Sequence, residues 1–246
     1  MEISKLRRSR LWLTLLLATG FELAWAAAVT TRALADPPDG TIAGTSVAIF
    51  QATAVHGIVA PIISAVVASR LATTEHDSTM LSQLLADGQP HTSLFLAKLT
   101  TALAICSVPA IALVTATTLL TAASGAPINQ SMTATWLVSL LLANIAMTAI
   151  HLALALLVHR QAVTLTVGAL GGLFGNLTNF IPAALTVFLP WQYPGVVSPV
   201  RILRDGGRIT GLAPLDHLGV YIVIVIVIGL AAAAITQAVF SRQVTR

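Results

Sequence analysis

The chain has 246 residues, of which 56% are hydrophobic and only 9% are charged, whereas a soluble domain has about 25% charged residues. This composition excludes an ordinary soluble fold, which could not bury so much apolar surface. The net charge of +4 and the sequence pI of about 10.0 do not indicate nucleic-acid binding, because the basic residues flank apolar runs and form no basic patch.

Six apolar runs are long enough to cross a bilayer as helices, since each reaches the ~20 residues that ~30 Å of hydrocarbon requires. The runs are continuous rather than alternating, and backbone groups in lipid must bond within their own segment, which favours helices over strands. With no internal repeat and no linker, the sequence predicts a single all-α membrane domain over residues 1–246. The predicted spans are Leu11 to Leu34, Thr45 to Ala68, Leu94 to Thr121, Thr133 to Val158, Ala162 to Pro190 and Leu218 to Phe240.

The basic residues predict which side of the membrane each terminus occupies. Six spans place both termini on one side, and cytoplasmic loops carry the excess of Lys and Arg. Cytoplasmic termini put nine of the thirteen basic residues inside, and we therefore predict a multi-pass protein of the plasma membrane with both termini in the cytoplasm. The inside set is Lys5, Arg7, Arg8, Arg10, Arg70, Lys98, Arg160, Arg242 and Arg246, and the outside set is Arg32, Arg201, Arg204 and Arg208.

The first predicted span has a second interpretation, as a secretory signal peptide. Lys5 to Arg10 precede a leucine-rich run that ends in Ala33-Leu34-Ala35, and cleavage there would leave a chain that begins at Asp36. The run is longer than the about 7 to 15 apolar residues of a signal peptide, and it carries the charged residues Glu22 and Arg32. These two features favour a retained membrane span.

Ionisable residues inside the first two spans are candidates for function, because an ionisable group in hydrocarbon is costly and usually faces the bundle or a water-filled path. Glu22 shares one helical face with Thr19 and Ala26. It suits a substrate path and a hydrogen bond between helices equally well. His56, with Gln51, is the corresponding candidate in the second span, where bonding to a neighbouring helix is the commoner role.

The segment from Ser69 to Ser93, between the second and third spans, is predicted to contain a short amphipathic helix in the cytoplasm. Thr74 is its predicted N-cap, and Gly88 and Pro90 end it. Helices that lie on lipid usually present Lys or Arg, whereas this one presents acids, which favours a protein partner. The predicted docking residues are Glu75, Asp77, Met80, Leu81, Leu84, Leu85 and Gln89.

The third and fourth spans contain a lone cysteine and a polar stripe. Cys106 has no partner cysteine, so neither a disulfide nor a cysteine-based zinc site is expected. Asn144, Thr148 and His151 fall on one side of the fourth span, and such stripes more often bond neighbouring helices than contact a ligand. Neither His56 nor His151 has a second ligand at metal-site spacing nearby, and no metal site is predicted.

The fifth span is rich in small residues and is predicted to pack closely against another helix. Asn176 and Asn179 follow these glycines, and Pro182 is expected to kink the helix. Both a packing seam and a moving gate fit this pattern. The glycines are Gly168, Gly171, Gly172 and Gly175, and the candidate substrate-path residues of all the spans are Glu22, His56, Asn144, His151, Asn176 and Asn179.

The longest predicted outer segment runs from Trp191 to His217 and precedes the last span. Its interface aromatics and prolines are typical of a segment at the membrane surface. We expect its basic residues to bind lipid headgroups. They are Arg201, Arg204 and Arg208.

The chain resembles the permease subunits of type-2 ABC exporters, including the subgroup associated with lantibiotic and peptide-antibiotic immunity. Three stretches carry the resemblance: the basic lead-in from Glu2 to Leu13, the acid, leucine-pair, proline and lysine pattern from Glu75 to Lys98, and the ending Phe240-Ser241-Arg242. The six-span layout extends the resemblance over the whole chain.

This resemblance implies a dimer with a second copy or a homologous permease, each permease being held at its coupling helix by a separate ATPase. It also implies short helices before the last span that dip into the outer leaflet, through Val196-Val197 and Val200 to Leu203. The implied substrate is amphipathic or peptide-like. The sequence contains no Gly-x-x-x-x-Gly-Lys-Ser/Thr loop, so the chain is expected to be no enzyme and to bind no cofactor, with ATP and Mg²⁺ in the partner ATPase.

Two other classes of protein are less well supported by the sequence. An intramembrane enzyme would need a motif such as Gly-x-Ser-x-Gly or a metal pair, and neither occurs. A secondary transporter would be expected to have inverted repeats and interrupted helices in matching halves, and only the fifth span looks interrupted.

Overall fold

The computed structural model of the protein describes residues 11–37, 40–76, 91–158, 160–175, 183–205 and 208–244. Within these ranges, five helices are long and apolar enough to cross a membrane. They correspond to the first four and the last of the predicted spans. Their bounds are α1 Leu11–Ala35, α2 Thr45–His76, α3 His91–Ala123, α4 Gln130–Leu157 and, at the end of the chain, α8 Leu218–Val244.

The second helix is longer than predicted. The predicted span stops at Ala68, where Ser69 and Arg70 interrupt the apolar run, but α2 continues to His76. It continues because Leu71 and Ala72 are still buried in the bundle and Lys98 Nζ donates a hydrogen bond to Leu71 O at 2.9 Å. Thr74 is therefore inside α2, and the prediction that it caps a separate helix is wrong.

The fifth predicted span is not one continuous helix. Helix α5, Gln161–Phe174, has 14 residues and is only about 21 Å long. It ends at Gly175, whose N–H bonds to Gly172 O at 3.1 Å in a tightened last turn, where three glycines weaken the helix. Beyond residues 176–182, which lie outside the description, come α6 Ala183–Thr186, a 3₁₀ turn Pro190–Gln192 and α7 Tyr193–Val196.

A β-hairpin replaces the helices expected from Val200 to Leu203. Strand β1, Val200–Asp205, pairs antiparallel with β2, Arg208–Pro214, so that Ile202 lies opposite Leu212. Val200 is buried and Arg201 is exposed, which is the period of two that a strand requires. The prediction of an all-α chain is wrong at this hairpin, because β-branched residues in an alternating pattern favour a strand.

Helix α2 lies at the centre of the described bundle and packs against α1, α3, α4 and α5. We call the end where α1, α3 and α5 begin and α2, α4 and α8 end the basal end, and the opposite end the apical end. At the apical end Asn129 N donates to Thr45 Oγ1 at 2.8 Å, joining the starts of α2 and α4. At the basal end Gln237 Nε2 donates to Thr92 Oγ1 at 3.4 Å, joining α8 to the start of α3.

Helices α4 and α8 run parallel. Gly229 of α8 lies against Ala146 of α4, and Ala233 packs in the cluster that contains Leu152. Since both helices run from the apical to the basal end, the chain returns to the apical end between them. The return path contains α5 and the short elements that follow it.

Candidate functional site

A chain of hydrogen bonds crosses the middle of the bundle and joins four helices. Glu22 Oε1 on α1 lies 2.5 Å from His56 Nδ1 on α2, and His56 Nε2 lies 3.3 Å from Asn144 Oδ1 on α4. Asn144 Nδ2 then donates to the backbone oxygen of Cys106 on α3 at 3.3 Å. We call Glu22, His56 and Asn144 the midplane triad.

The midplane triad is completely enclosed by the protein. Glu22 and His56 are 0% exposed and Asn144 is 3% exposed. Each of the first two residues lies about 17 Å along its helix, Glu22 from the basal end and His56 from the apical end. Both therefore lie near the middle of a ~30 Å hydrocarbon layer, where water cannot solvate a charge.

The contacts of Asn144 indicate which hydrogen bond His56 makes to it. Because Asn144 Nδ2 donates to Cys106 O, its Oδ1 faces His56 Nε2 and must accept a hydrogen from it. A hydrogen also lies between His56 Nδ1 and Glu22 Oε1, because two acceptors without one would not lie 2.5 Å apart, so the pair is either imidazolium with carboxylate or neutral imidazole with carboxylic acid. Both arrangements have a net charge of zero, which reduces the cost of burial in hydrocarbon.

A second group of polar side chains lies on the same helices, one to two turns nearer the basal end. Ser64 Oγ donates to Thr148 Oγ1 at 3.4 Å and lies 3.2 Å from His151 Nδ1. His151 Nδ1 also lies 3.1 Å from the backbone oxygen of Met147, so that this nitrogen carries the hydrogen. Together with the midplane triad, these contacts bond α4 to α2 over most of the basal half of α4.

The structure brings four of the six predicted substrate-path residues into these two groups, where their side chains are buried and, among the described residues, face no open channel. The void beside His56, Cys106, Asn144 and Met147 measures about 10 Å³, which is near the minimum for one water molecule. In this conformation Glu22, His56, Asn144 and His151 therefore hold helices together. The other two, Asn176 and Asn179, lie outside the described residues.

The glycines of α5 lie where the helix touches its neighbours most closely. A methyl group added at Gly168 would lie 2.2 Å from Ala65 Cβ, and one at Gly172 would lie 2.3 Å from Ile58 O. At Gly175 the added carbon would lie 2.1 Å from Gly57 O. These three glycines let α5 approach α2 at backbone distance, and Gly171 makes room for the indole ring of Trp191.

Of the predicted docking residues between the second and third spans, Glu75 lies in the last turn of α2, at the basal end. The amphipathic helix predicted to follow it falls outside the residues that the structure describes. The same holds for Asp77, Met80, Leu81, Leu84, Leu85 and Gln89.

A cavity of about 260 Å³ opens at the apical end, between α2 and the segment that follows α5. Its walls come from α2, α6, α7, β1 and α8. No sequence pattern predicted this cavity, because its lining residues are scattered between residues 50 and 221. We call it the apical cavity, and six of its lining residues are Phe50, Thr53, Val196, Arg201, Leu215 and Tyr221.

Arg201, which the sequence assigned to lipid headgroups, is paired within the protein. Its Nη2 lies 2.6 Å from Asp216 Oδ2, and both side chains are about half exposed or more. Near the same end, burial raises the pKa of Tyr193 to about 12, so its hydroxyl group stays neutral at any physiological pH.

The described residues contain no group of three or more His, Cys, Asp or Glu side chains that could hold a metal ion. Cys106 is buried, and its backbone oxygen takes part in the midplane hydrogen bonds.

A family model described as "ABC-2 family transporter protein" matches residues 1–176. The match begins before α1 and extends past α5, so it includes the midplane triad, the four α5 glycines and the whole segment between α2 and α3. The hairpin and α8 lie beyond it. No curated protein and no solved structure matches the chain.

Proposed function

Since the chain belongs to the family of ABC-2 transporter proteins, we propose that it is the membrane subunit of an ATP-driven exporter of an amphipathic or peptide-like substrate. The family assignment itself makes the chain a membrane transport subunit of an ABC transporter. The match over residues 1–176 is the observation that carries the proposal. It includes the helices around the midplane triad and the predicted docking segment.

The energy for export is proposed to come from a separate ATPase that docks at the basal end. The sequence has no phosphate-binding loop of its own. The predicted docking segment connects the basal ends of α2 and α3, and a force applied there would act directly on the central helix of the bundle. ATP and Mg²⁺ would be bound by the partner chain.

Introducing a charge at Leu84 is expected to reduce the amount of ATPase that co-purifies with the protein by at least about tenfold, the equivalent of about 1.4 kcal/mol. Leu84→Asp places a carboxylate on the predicted apolar face of the docking helix. The measurement is affinity purification of the tagged protein with quantification of ATPase subunits by mass spectrometry, together with an export assay.

Ser131→Asp is the control for this experiment, since it adds the same charge at an exposed site in the first turn of α4, at the apical end. An acid there is also compatible with the helix dipole. The docking role is wrong if no ATPase accompanies the unmodified protein or if both variants retain it equally.

Both termini are proposed to lie in the cytoplasm, with the basal end inside and the return path through α5 as the sixth crossing. In a Cys106→Ala background, Ser131→Cys is then expected to react with a membrane-impermeant maleimide in intact cells. Gln161→Cys, at the basal start of α5, is expected to react only after permeabilisation. The reverse labelling pattern would overturn this topology.

The substrate class and the assembly are proposed from the sequence resemblance. A second permease copy or a homologous permease would complete the transporter, and self-immunity to a lantibiotic or peptide antibiotic would be its physiological role. Deleting the gene in a producing cell should then lower the concentration of its own antibiotic that the cell survives. Unchanged survival would contradict the immunity role and leave the transporter assignment intact.

A further inference from the structure

Neither the sequence pattern nor the family match assigns a function to the apical cavity. It is bounded on one side by Phe50, Thr53 and Ala54, which share one face of α2, and on the other by residues of α7, β1 and α8. We propose that this cavity binds a single-chain amphiphile with a carboxylate head. The proposal goes beyond export and does not depend on an ATPase partner.

The size and the walls of the cavity suit one apolar chain. A volume of about 260 Å³ corresponds to on the order of ten non-hydrogen atoms, if each takes a share similar to that of a water molecule. The aromatic rings of Phe50 and Tyr221 and the aliphatic side chains of Val196, Ile202 and Leu215 line it. The two acyl chains of a long-chain phospholipid have several times that number of non-hydrogen atoms.

Hydroxyl groups supply hydrogen bonds for a polar head. Thr53 Oγ1 accepts a hydrogen bond from Trp136 Nε1 at 2.9 Å, and Ser198 Oγ accepts one from Val200 N at 3.4 Å. Each oxygen is thus fixed in place, while its own hydrogen can be donated to an acceptor in the cavity.

The positive charge of Arg201 on the cavity wall favours an anionic head group. Among the described residues that line the cavity, Arg201 is the only charged one and none carries a carboxylate. Asp216 contacts Arg201 through Nη2, and a guanidinium has five N–H donors, so the others can bind a carboxylate. A cationic head would instead be repelled by Arg201, and the nearby carboxylate of Asp216 is already paired with that guanidinium.

The test is photolabelling of the full-length protein in nanodiscs with a ten-carbon carboxylate that carries a diazirine on its chain. Labelling is expected on peptides that contain Phe50–Ala54 or Val196–Ile202. Unlabelled decanoate should compete at least fivefold better than decyltrimethylammonium, because only the anion can pair with Arg201. Equal competition by both amphiphiles, or label confined to other peptides, overturns the proposal.

Two variants of the same ion pair separate binding from a structural role. Arg201→Gln removes the head-group partner and should lower labelling at least fivefold, whereas Asp216→Asn removes the competing carboxylate and should raise it. Arg32→Gln, an equal loss of charge on the exposed apical end of α1, should change nothing. A fall of similar size in both Arg201→Gln and Asp216→Asn would show that the pair only holds the cavity in shape, and the proposal would be wrong.

A long-chain phosphatidylglycerol, used as the competitor in place of decanoate, distinguishes a free single-chain carboxylate from an anionic phospholipid of the membrane. The proposal expects weak competition from this lipid, because its two chains exceed the cavity. Competition as strong as that of decanoate would identify the cavity as a surface lipid contact and overturn the single-chain assignment.

Discussion

Replacing His56 with leucine is expected to destabilise the folded protein by about 3–5 kcal/mol, the usual cost of leaving a buried charge partner alone. Glu22 Oε1 would lose its contact with His56 Nδ1, and Glu22 Oε2 already has no hydrogen-bond partner among the described residues. The whole carboxyl group would then lie in the bundle unpaired. The measurement is the shift of thermal and denaturant unfolding in detergent.

Glu22→Gln is the matched variant, and its expected cost is only about 1 kcal/mol. Its side-chain amide can donate to Nδ1 of a neutral His56, whose Nε2–H still donates to Asn144 Oδ1, so both ring nitrogens of His56 keep their hydrogen bonds. The double variant Glu22→Leu with His56→Leu should be less destabilised than the sum of the two single leucine variants. Additive losses would mean that the two residues do not form a coupled pair.

The positions of the long helices could be predicted from the sequence because, apart from the end of α2, they follow the local apolar pattern. The stretch from Ala162 to Pro190 has the same composition, yet α5 ends at Phe174. The apolar composition of this stretch does not predict that the helix ends at its glycines, where it contacts α2 and Trp191. In the same way, Val200 to Leu203 is apolar enough for a helix, and only pairing with β2 makes it a strand.

The pairing of Glu22 with His56 was not predicted, although the sequence contained part of the information. Glu22 lies about 17 Å from the start of the first apolar run and His56 about 17 Å from the start of the second, so antiparallel helices bring them to the same depth. Depth alone does not say which way each side chain points around its helix. That direction is set by the packing of α1, α3 and α4 around α2, which no single-helix pattern contains.

Helix α2 packs against its neighbours in two different ways, through side-chain hydrogen bonds at the midplane triad and through close backbone contact at the α5 glycines. On the α1 and α4 sides α2 is held by polar side chains whose bonds can be exchanged, whereas on the α5 side its backbone is in direct contact with glycine. Hydrogen bonds between side chains tolerate small rotations, but backbone contact tolerates almost no added volume. The α2–α5 contact should therefore be the more sensitive of the two to an added methyl group.

Gly172→Ala is expected to destabilise the protein by about 1–3 kcal/mol through overpacking and to reduce the yield of folded protein. The new Cβ would lie 2.3 Å from the backbone oxygen of Ile58 and 3.1 Å from Ile62 Cγ1. Because the nearest atom belongs to the backbone of a mostly buried helix, it cannot move aside as a flexible side chain would. Thermal unfolding in detergent and the monodisperse fraction in gel filtration measure the effect.

Gly20→Ala is the control, since it makes the same substitution on the exposed face of α1, where an added methyl group meets nothing within 4 Å. Alanine is the better helix former by about 1 kcal/mol, so this variant should unfold at the same temperature as the original protein or higher. If Gly172→Ala behaves in the same way, α5 does not pack against α2 at backbone distance. If only Gly172→Ala loses stability, the loss comes from the contact between α5 and α2. The higher helix propensity of alanine would by itself stabilise both variants.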